Sequence, residues 1–138
     1  MSPTPIDLTS RFDALGFLPD RTPDDTRQAA GDGDPPWVGT LADYRDGGIF
    51  IVHYAGESEW ELHPADEIVM VVDGATTITL VIDSERHLVP LTSMQLVVVP
   101  AKTWHRFDTP DSVRVMTVTP QPTQHRLEDP ADLSESLK

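Results

Sequence analysis

The chain has 138 residues, enough for one domain with a hydrophobic core and too few for two domains of ordinary size. Acidic residues outnumber basic ones by 23 to 10, and the resulting charge of -13 disfavours nucleic acid and anionic membrane surfaces as partners. No cysteine is present, which excludes disulfides, thiolate metal ligands and a cysteine nucleophile and is compatible with a reducing cytosol.

The sequence predicts neither a targeting signal nor a membrane span. Residues 1–7 contain no basic region and no apolar run, so we expect no secretory signal. No stretch approaches the ~18 consecutive apolar residues that a membrane span requires. The expected location is therefore the cytoplasm.

Residues 1–36 are predicted to be a leader with little core of its own. Ser10 is a candidate N-cap for a short helix, which Pro19 would end. The apolar positions of this helix are Phe12, Leu15 and Leu18. Residues 20–36 are rich in Pro, Gly and Asp and are predicted to form an exposed loop.

Residues 37–120 are predicted to form one all-β domain. Short runs rich in Val, Ile, Thr and aromatic residues recur here with turn residues between them, and no useful stretch has helical periodicity. The runs cover residues 49–54, 67–72, 76–82, 87–91, 95–99, 104–107 and 113–119. Short strands without intervening helices indicate a sandwich or a barrel. The remaining residues, 121–138, are predicted to be an acidic tail.

Two local patterns refine this domain. Asp73-Gly74, between two of the runs, is a strong β-hairpin signal. Residues 68–72 and 96–99 are apolar on both faces, as expected if the outer face of the sheet is also covered, for instance by a second subunit.

Three side chains have the chemistry of metal ligands. His63 and Glu67 stand at the junction of two predicted strands, and His105 stands on a later one. Imidazole and carboxylate together suit Zn, Fe, Mn or Ni, and two His with one carboxylate leave coordination positions open for substrate.

Strand alternation adds further candidates to this site. Glu61 shares a strand face with His63, so it is a candidate fourth ligand or catalytic carboxylate. Three apolar residues share a strand face with a ligand and are therefore predicted to line the pocket. They are Phe107, which shares the face of His105, and Val69 and Val71, which share the face of Glu67.

At these residues the chain resembles the cupin superfamily of small jelly-roll barrels. The first cupin motif has two His one residue apart, then a Glu and a Gly. His63, Glu67 and Gly74 keep its spacing, and Glu61 replaces the first His. In the second motif Pro100 and His105 match, while the two Gly and the Asn are replaced by Met94, Lys102 and Thr109. The resemblance spans about residues 49–119.

The resemblance implies a single-domain jelly-roll barrel that holds a divalent metal ion on His63, Glu67 and His105. Cupins include dioxygenases, isomerases, decarboxylases, lyases, storage proteins and ligand-binding regulators, so the reaction class stays open. Glu61 has three interpretations: a fourth ligand, a general base beside the metal, or a side chain that reaches solvent at the barrel mouth. The alternative to a metal site is a pair of half-buried, hydrogen-bonded histidines with Glu67 as their partner.

The leading hypothesis is a small metalloenzyme that acts on a small molecule and forms a homodimer. The alternatives are a ligand-binding or sensing module and a metal-free structural dimer. We expect neither nucleic acid nor a membrane as partner. No functional role is predicted for His53, His87 or His125, and the last two are expected to be solvated.

Overall fold

The computed structural model describes residues 2–26 and 33–131. Predictions that fall on residues 1, 27–32 and 132–138, including part of the loop and most of the far tail, lie outside this part of the chain. The elements are α1 (Leu8–Asp13), β1 (Leu18–Arg21), β2 (Val38–Tyr44), β3 (Gly47–Glu57), β4 (Trp60–Leu62), β5 (Glu67–Ile82), β6 (Glu85–Thr92), β7 (Gln95–Val99), β8 (His105–Pro120) and β9 (Gln124–Arg126).

Three long strands, β3, β5 and β8, run through both layers of the fold. In one layer the order is β2, β3, β8, β5 and β7, and in the other it is β1, β3, β8, β5 and β6. All of these pairs are antiparallel except that of β1 with β3. The short β4 bridges β8 and β9. The predicted all-β jelly-roll barrel is confirmed.

The core fills the space between the two layers. Alternate residues of β5 and β8 point inwards and are almost fully buried, as the two-residue period of a strand requires. The largest core cluster contains Trp37, Val38, Val52, Tyr54, Val69, Val71, Ile78, Leu80, Leu91, Val99, Phe107, Val113 and Val115. In the described part of the chain, no helix is long and apolar enough to cross a membrane.

The predicted hairpin at Asp73-Gly74 is wrong, because β5 continues through it as one strand. Gly74 has a φ of 87°, and the pairing of β5 with β8 shifts register on both sides of it. A side chain at Gly74 would place its Cβ 2.2 Å from the carbonyl oxygen of Ser112. Because β8 supplies pairing partners to both halves of β5, the glycine makes a bend that carries the strand from one layer to the other.

The chain ends are more closely attached to the barrel than predicted. The helix cap is Asp7, whose carboxylate accepts a hydrogen bond from the Thr9 amide at 3.1 Å, and the helix ends at Asp13. The predictions of a Ser10 cap and of a helix through Leu18 are therefore wrong. Residues 18–21 form β1, which pairs with β3, and residues 124–126 form β9, which pairs with β4.

Replacing Gly74 with Ala tests the bend. We expect Gly74→Ala to lower the free energy of unfolding by about 2 kcal/mol or more, from the left-handed backbone and the clash together. Gly33→Ala is the matched control, since Gly33 has a φ of 85° and no described residue lies within 4 Å of the added Cβ. Urea unfolding should show a clearly smaller loss for the control, and equal losses would contradict the steric account.

Candidate metal centre

Strand pairing brings the predicted ligands to one place. Glu61 on β4 lies directly opposite His105 on β8. His63 follows β4, and its carbonyl oxygen accepts a hydrogen bond from the Lys102 amide at 2.9 Å. Glu67 is the first residue of β5, which packs along β8. Three neighbouring strands therefore deliver the four side chains to one end of the barrel.

The distances among these side chains are short. His63 Nε2 lies 3.3 Å from Glu67 Oε2, and His105 Nε2 lies 3.1 Å from Glu67 Oε1. Glu61, His63 and His105 each place one potential ligand atom within 4.8 Å of the other two. None of the four residues is more than 2% exposed. The interpretation in which Glu61 reaches open solvent is therefore wrong.

Hydrogen bonds of the Nδ1 atoms indicate which imidazole nitrogens carry protons. His105 Nδ1 lies 2.8 Å from the Thr103 carbonyl oxygen, which only accepts, so Nδ1 is the protonated nitrogen. His63 Nδ1 lies 3.0 Å from the Thr123 hydroxyl, which donates its own proton to Gln121 and thus accepts from the ring. In the neutral rings both Nε2 atoms therefore present lone pairs towards Glu67.

Two neutral rings facing an ionised carboxylate need a positive charge between them, which either a proton on Nε2 or a bound metal ion supplies. Among the described residues, neither Nε2 has a hydrogen-bond partner with proper geometry, although each lies close to a Glu67 oxygen. A buried polar atom left in this state costs about 1–3 kcal/mol. A bound divalent cation would satisfy both nitrogens, so the donor set fits a metal ion.

The electrostatics of the site also favour positive charge. Burial of the His105 ring works to lower its pKa, but contact with Glu67 and the nearby charge of Glu61 outweigh burial, and the pKa of His105 is raised. Glu67 itself is held by the Thr119 hydroxyl, which donates to Oε2 at 2.6 Å. Thr117 in turn contacts the Thr119 hydroxyl at 2.8 Å. The carboxylate is therefore fixed in position by threonines of β8.

A small pocket opens beside Glu61. Its volume is about 120 Å³, and its lining residues are Asp34, Val38, Phe50, Glu61, Gln121, Thr123 and His125. The three predicted pocket residues do not line it. Phe107, Val69 and Val71 are at most 5% exposed and belong to the packed core, with the Phe107 ring centroid 6.3 Å from that of His105.

The sequence analysis missed three charged or titratable residues next to the site. Glu59 is buried, and its carboxylate contacts Arg21 Nη2 and His125 Nδ1, each at 3.1 Å. His125 is exposed, as predicted, but its Nδ1 also lies 3.8 Å from Glu61 Oε2. Strand alternation from Glu61 and His63 could have identified Glu59. No local signal marked the other two, because they lie in the predicted leader and tail.

The buried guanidinium of Arg21 is held on two sides. Its Cζ atom lies 4.6 Å from the ring centroids of both Trp37 and Tyr54. Arg21 therefore neutralises Glu59 and joins β1 to the barrel interior.

Sequence comparison establishes the family. The profile of the Cupin domain family matches residues 48–119, more than half of the chain, and the chain belongs to this family. No curated protein matches the sequence. The family resemblance predicted from the two motifs is confirmed.

Solved structures share the fold at low sequence identity. A cupin-2 domain protein from Shewanella frigidimarina has a TM-score of 0.58 and 17% identity, over 88% of this chain and 94% of that one. A hydroquinone 1,2-dioxygenase in complex with Cd²⁺ and 4-hydroxybenzonitrile has a TM-score of 0.55 and 16% identity, over 66% and 68%. The hydroquinone 1,2-dioxygenase of Sphingomonas sp. TTNP3, with 4-hydroxybenzoate bound, has a TM-score of 0.53 and 14% identity, over 70% of each chain. At these identities the likeness establishes the fold alone.

Two departures from the cupin motif lie at positions with a left-handed backbone. Met94 and Lys102 stand where the motif has glycine, and their φ values are 67° and 57°. Both residues therefore adopt this conformation at some cost, because side chains with a Cβ favour negative φ.

A double-mutant cycle tests the buried pair of Arg21 and Glu59. We expect Arg21→Met and Glu59→Gln each to lower the free energy of unfolding by about 3 kcal/mol or more, because each leaves its partner charge buried. The double variant should lose clearly less than the two single losses added together, as measured by urea unfolding. Additive losses would show that the two side chains do not stabilise each other.

Proposed function

We propose that this chain is a metal-binding cupin that acts on a small molecule at the pocket beside Glu61. His63, Glu67 and His105 hold a divalent metal ion, with Zn, Fe, Mn and Ni as the candidates. The observation that carries the proposal is the pair of buried Nε2 atoms, each within 3.3 Å of a Glu67 oxygen and, among the described residues, without a hydrogen bond of proper geometry. In such a site the metal supplies Lewis acidity or, if it is iron, redox chemistry.

Glu61 is the catalytic carboxylate in this proposal. Of the four side chains at the candidate metal centre it is the one that lines the pocket, and His125 lies 3.8 Å from it. A carboxylate in this position accepts a proton from a bound molecule or completes the metal site as a fourth ligand. Glu61→Gln separates the two roles, because loss of the metal identifies a ligand, whereas retained metal with lost turnover identifies a proton acceptor.

The remaining pocket residues orient the substrate and limit water. Thr123 and Gln121 are joined by a hydrogen bond and present polar atoms on one wall, while Val38 and Phe50 supply apolar contact. Dioxygenase, isomerase and lyase chemistry all remain compatible with this arrangement. Because two structural relatives are dioxygenases, O2 consumption by the iron form is the first activity to assay.

A ligand-binding or sensing module is the second candidate function. It is favoured by the near-complete burial of His63, Glu67 and His105, which are not among the residues that line the pocket. In that case the metal is a structural support for the pocket. Ligand binding without turnover, in protein that carries its metal, would select this function.

Metal analysis tests the proposed centre. We expect about one divalent metal ion per chain in the purified wild type, by mass spectrometry, because the two histidines supply preformed ligands. His63→Ala and His105→Ala should each lose the metal. His87→Ala, which removes an exposed histidine, should retain it. Metal-free wild type, even after anaerobic reconstitution with the four candidate metals, would reject the proposal, and circular dichroism checks that each variant is folded.

We also propose that the chain forms a homodimer through one outer face of the barrel. This lateral face consists of Ile68, Met70, Leu96, Val98, Met116 and Val118. Ile68 lies opposite Val98 and Val118, so the apolar side chains form continuous rows across three strands. Leu96 is 58% exposed and Val98 is 49% exposed in the single chain, which is unusual for such a row.

The charge distribution favours a second copy of this chain as the partner at the lateral face. The lateral face carries no charged residue on a chain of net charge -13, so repulsion between two copies is smallest there. A groove of about 360 Å³ beside it includes exposed Tyr44, with Arg45, Asp46 and Asp66 around it. Both charge signs at the rim allow a two-fold, self-complementary contact.

Charge substitution on the lateral face tests the dimer. We expect Leu96→Glu to convert the wild-type dimer to a monomer in size-exclusion chromatography with light scattering, because it buries a carboxylate in an apolar contact. Leu88→Glu is the control: Leu88 is 63% exposed but lies on β6, in the other layer. A monomeric wild type, or equal effects of the two changes, would contradict this interface.

A further inference from the structure

The segment that follows β8 reaches the candidate metal centre. The family profile ends at residue 119, and the residues beyond it lie in the predicted acidic tail. In the structure they continue into β9, which pairs antiparallel with β4 and sets Gln124 opposite Leu62. One step further along, the same register brings Thr123 towards His63. A part of the chain outside the matched domain therefore contributes to the surroundings of a candidate ligand.

Thr123 connects the ring of His63 to the pocket wall. Its hydroxyl oxygen lies 3.0 Å from His63 Nδ1, and the hydroxyl donates its proton to Gln121 Oε1 at 3.1 Å. The backbone of Gln121 is anchored in turn, because its amide donates to the Asp46 carbonyl oxygen at 3.2 Å. Thr123 and Gln121 both line the pocket beside Glu61. Two residues of the pocket wall and one candidate metal ligand therefore form a single hydrogen-bonded row.

This row determines the nitrogen at which His63 is free to bind a metal ion. A neutral imidazole carries one proton, and it binds a metal through the other nitrogen. The Thr123 hydroxyl, whose proton is directed at Gln121, accepts from Nδ1 and so favours the ring form with a lone pair on Nε2. Without this acceptor the ring proton is better placed on Nε2, where Glu67 Oε2 at 3.3 Å would accept it. A metal ion would then have to displace that proton.

The second imidazole is held differently. His105 Nδ1 donates to the backbone carbonyl oxygen of Thr103 at 2.8 Å, and no side-chain substitution removes a carbonyl oxygen. The ring form of His63, in contrast, depends on the side-chain hydroxyl of a half-buried residue. The two candidate ligands therefore differ in how a substitution behind the ring affects them, and His63 is the sensitive one.

We propose that Thr123 is a positioning residue for the metal centre: it fixes His63 in the form that binds through Nε2, and Gln121 acts through it. This inference rests on the proposed function, because it concerns the same metal site. The pocket wall and the metal centre are thereby joined through a single hydroxyl group.

Zinc affinity tests the role of this hydroxyl. The dissociation constant of the full-length protein is measured at neutral pH by competition with a chromophoric chelator. Thr123→Val keeps the shape of the side chain and removes the hydroxyl, and we expect it to raise the dissociation constant about 10- to 100-fold. Thr123→Ser retains a hydroxyl and should bind zinc more tightly than Thr123→Val.

Thr92→Val is the matched control. The Thr92 hydroxyl also donates to a glutamine, Gln95 Oε1 at 3.1 Å, at a turn between β6 and β7 that carries none of the candidate ligands. The substitution removes the same kind of hydrogen bond, so the zinc affinity should remain that of the wild type. Equal losses in Thr92→Val and Thr123→Val would assign the effect to general destabilisation and overturn the proposal.

A double-mutant cycle tests the part of Gln121. Gln121→Leu removes the acceptor of the Thr123 proton, which frees the hydroxyl to donate to Nδ1, and it should weaken zinc binding less than Thr123→Val does. Adding Gln121→Leu to Thr123→Val should cause no further loss, whereas additive losses would show that Gln121 acts independently. Circular dichroism checks folding. If Thr123→Val does not fold, Gln121→Leu decides alone, because an unchanged zinc affinity in that variant would overturn the proposal.

A spectroscopic readout separates positioning from a merely structural role. In the zinc-loaded wild type, heteronuclear NMR should detect slowly exchanging Nδ1 protons on His63 and His105. In Thr123→Val the His63 signal should be lost to exchange while the His105 signal persists. An unchanged His63 signal, or an unchanged zinc affinity, overturns this inference and leaves the metal site intact. Wild type that takes up no metal rejects the proposed function itself.

Discussion

The contact of the Glu67 carboxylate with two imidazoles is the interaction on which the rest of the site depends. His63 and His105 come from different strands, and their Nε2 atoms meet the two oxygens of one buried side chain. Each ring is fixed from behind by a hydrogen bond, and Glu67 is fixed by Thr119. Such a rigid, buried donor set is preorganised for a cation, because little conformational freedom remains to be lost on binding.

Strands from near both ends of the described chain contribute contacts beside this centre. Arg21 comes from β1 and His125 from β9, and both contact Glu59, which lies on β4's N-terminal side. These contacts place a neutralised ion pair next to the acidic residues of the site. A carboxylate buried without such a partner would be strongly unfavourable, so Arg21 allows Glu59 to remain charged inside the protein.

The geometry of the barrel depends on bends in its long strands. β5 and β8 are each 16 residues long and serve both layers, which requires a local change of direction. Gly74 provides it in β5, and Gly56 does so in β3, where a φ of 116° brings the backbone close to Arg21. The bend at Gly56 thus also helps to position the residue that neutralises Glu59. The bend in β3 and the charge balance of the site therefore both depend on Gly56.

The sequence by itself determined the all-β class, the cupin family and the convergence of Glu61, His63, Glu67 and His105, because two-residue alternation and motif spacing are local properties. It could not determine that Asp73-Gly74 bends a strand rather than ending it, since that depends on pairing with β8. Nor could it place Arg21 and His125 beside Glu59, since they come from opposite ends of the chain. Only the tertiary structure decided these contacts, because long-range strand pairing and the compensation of buried charge leave no periodic pattern in the sequence.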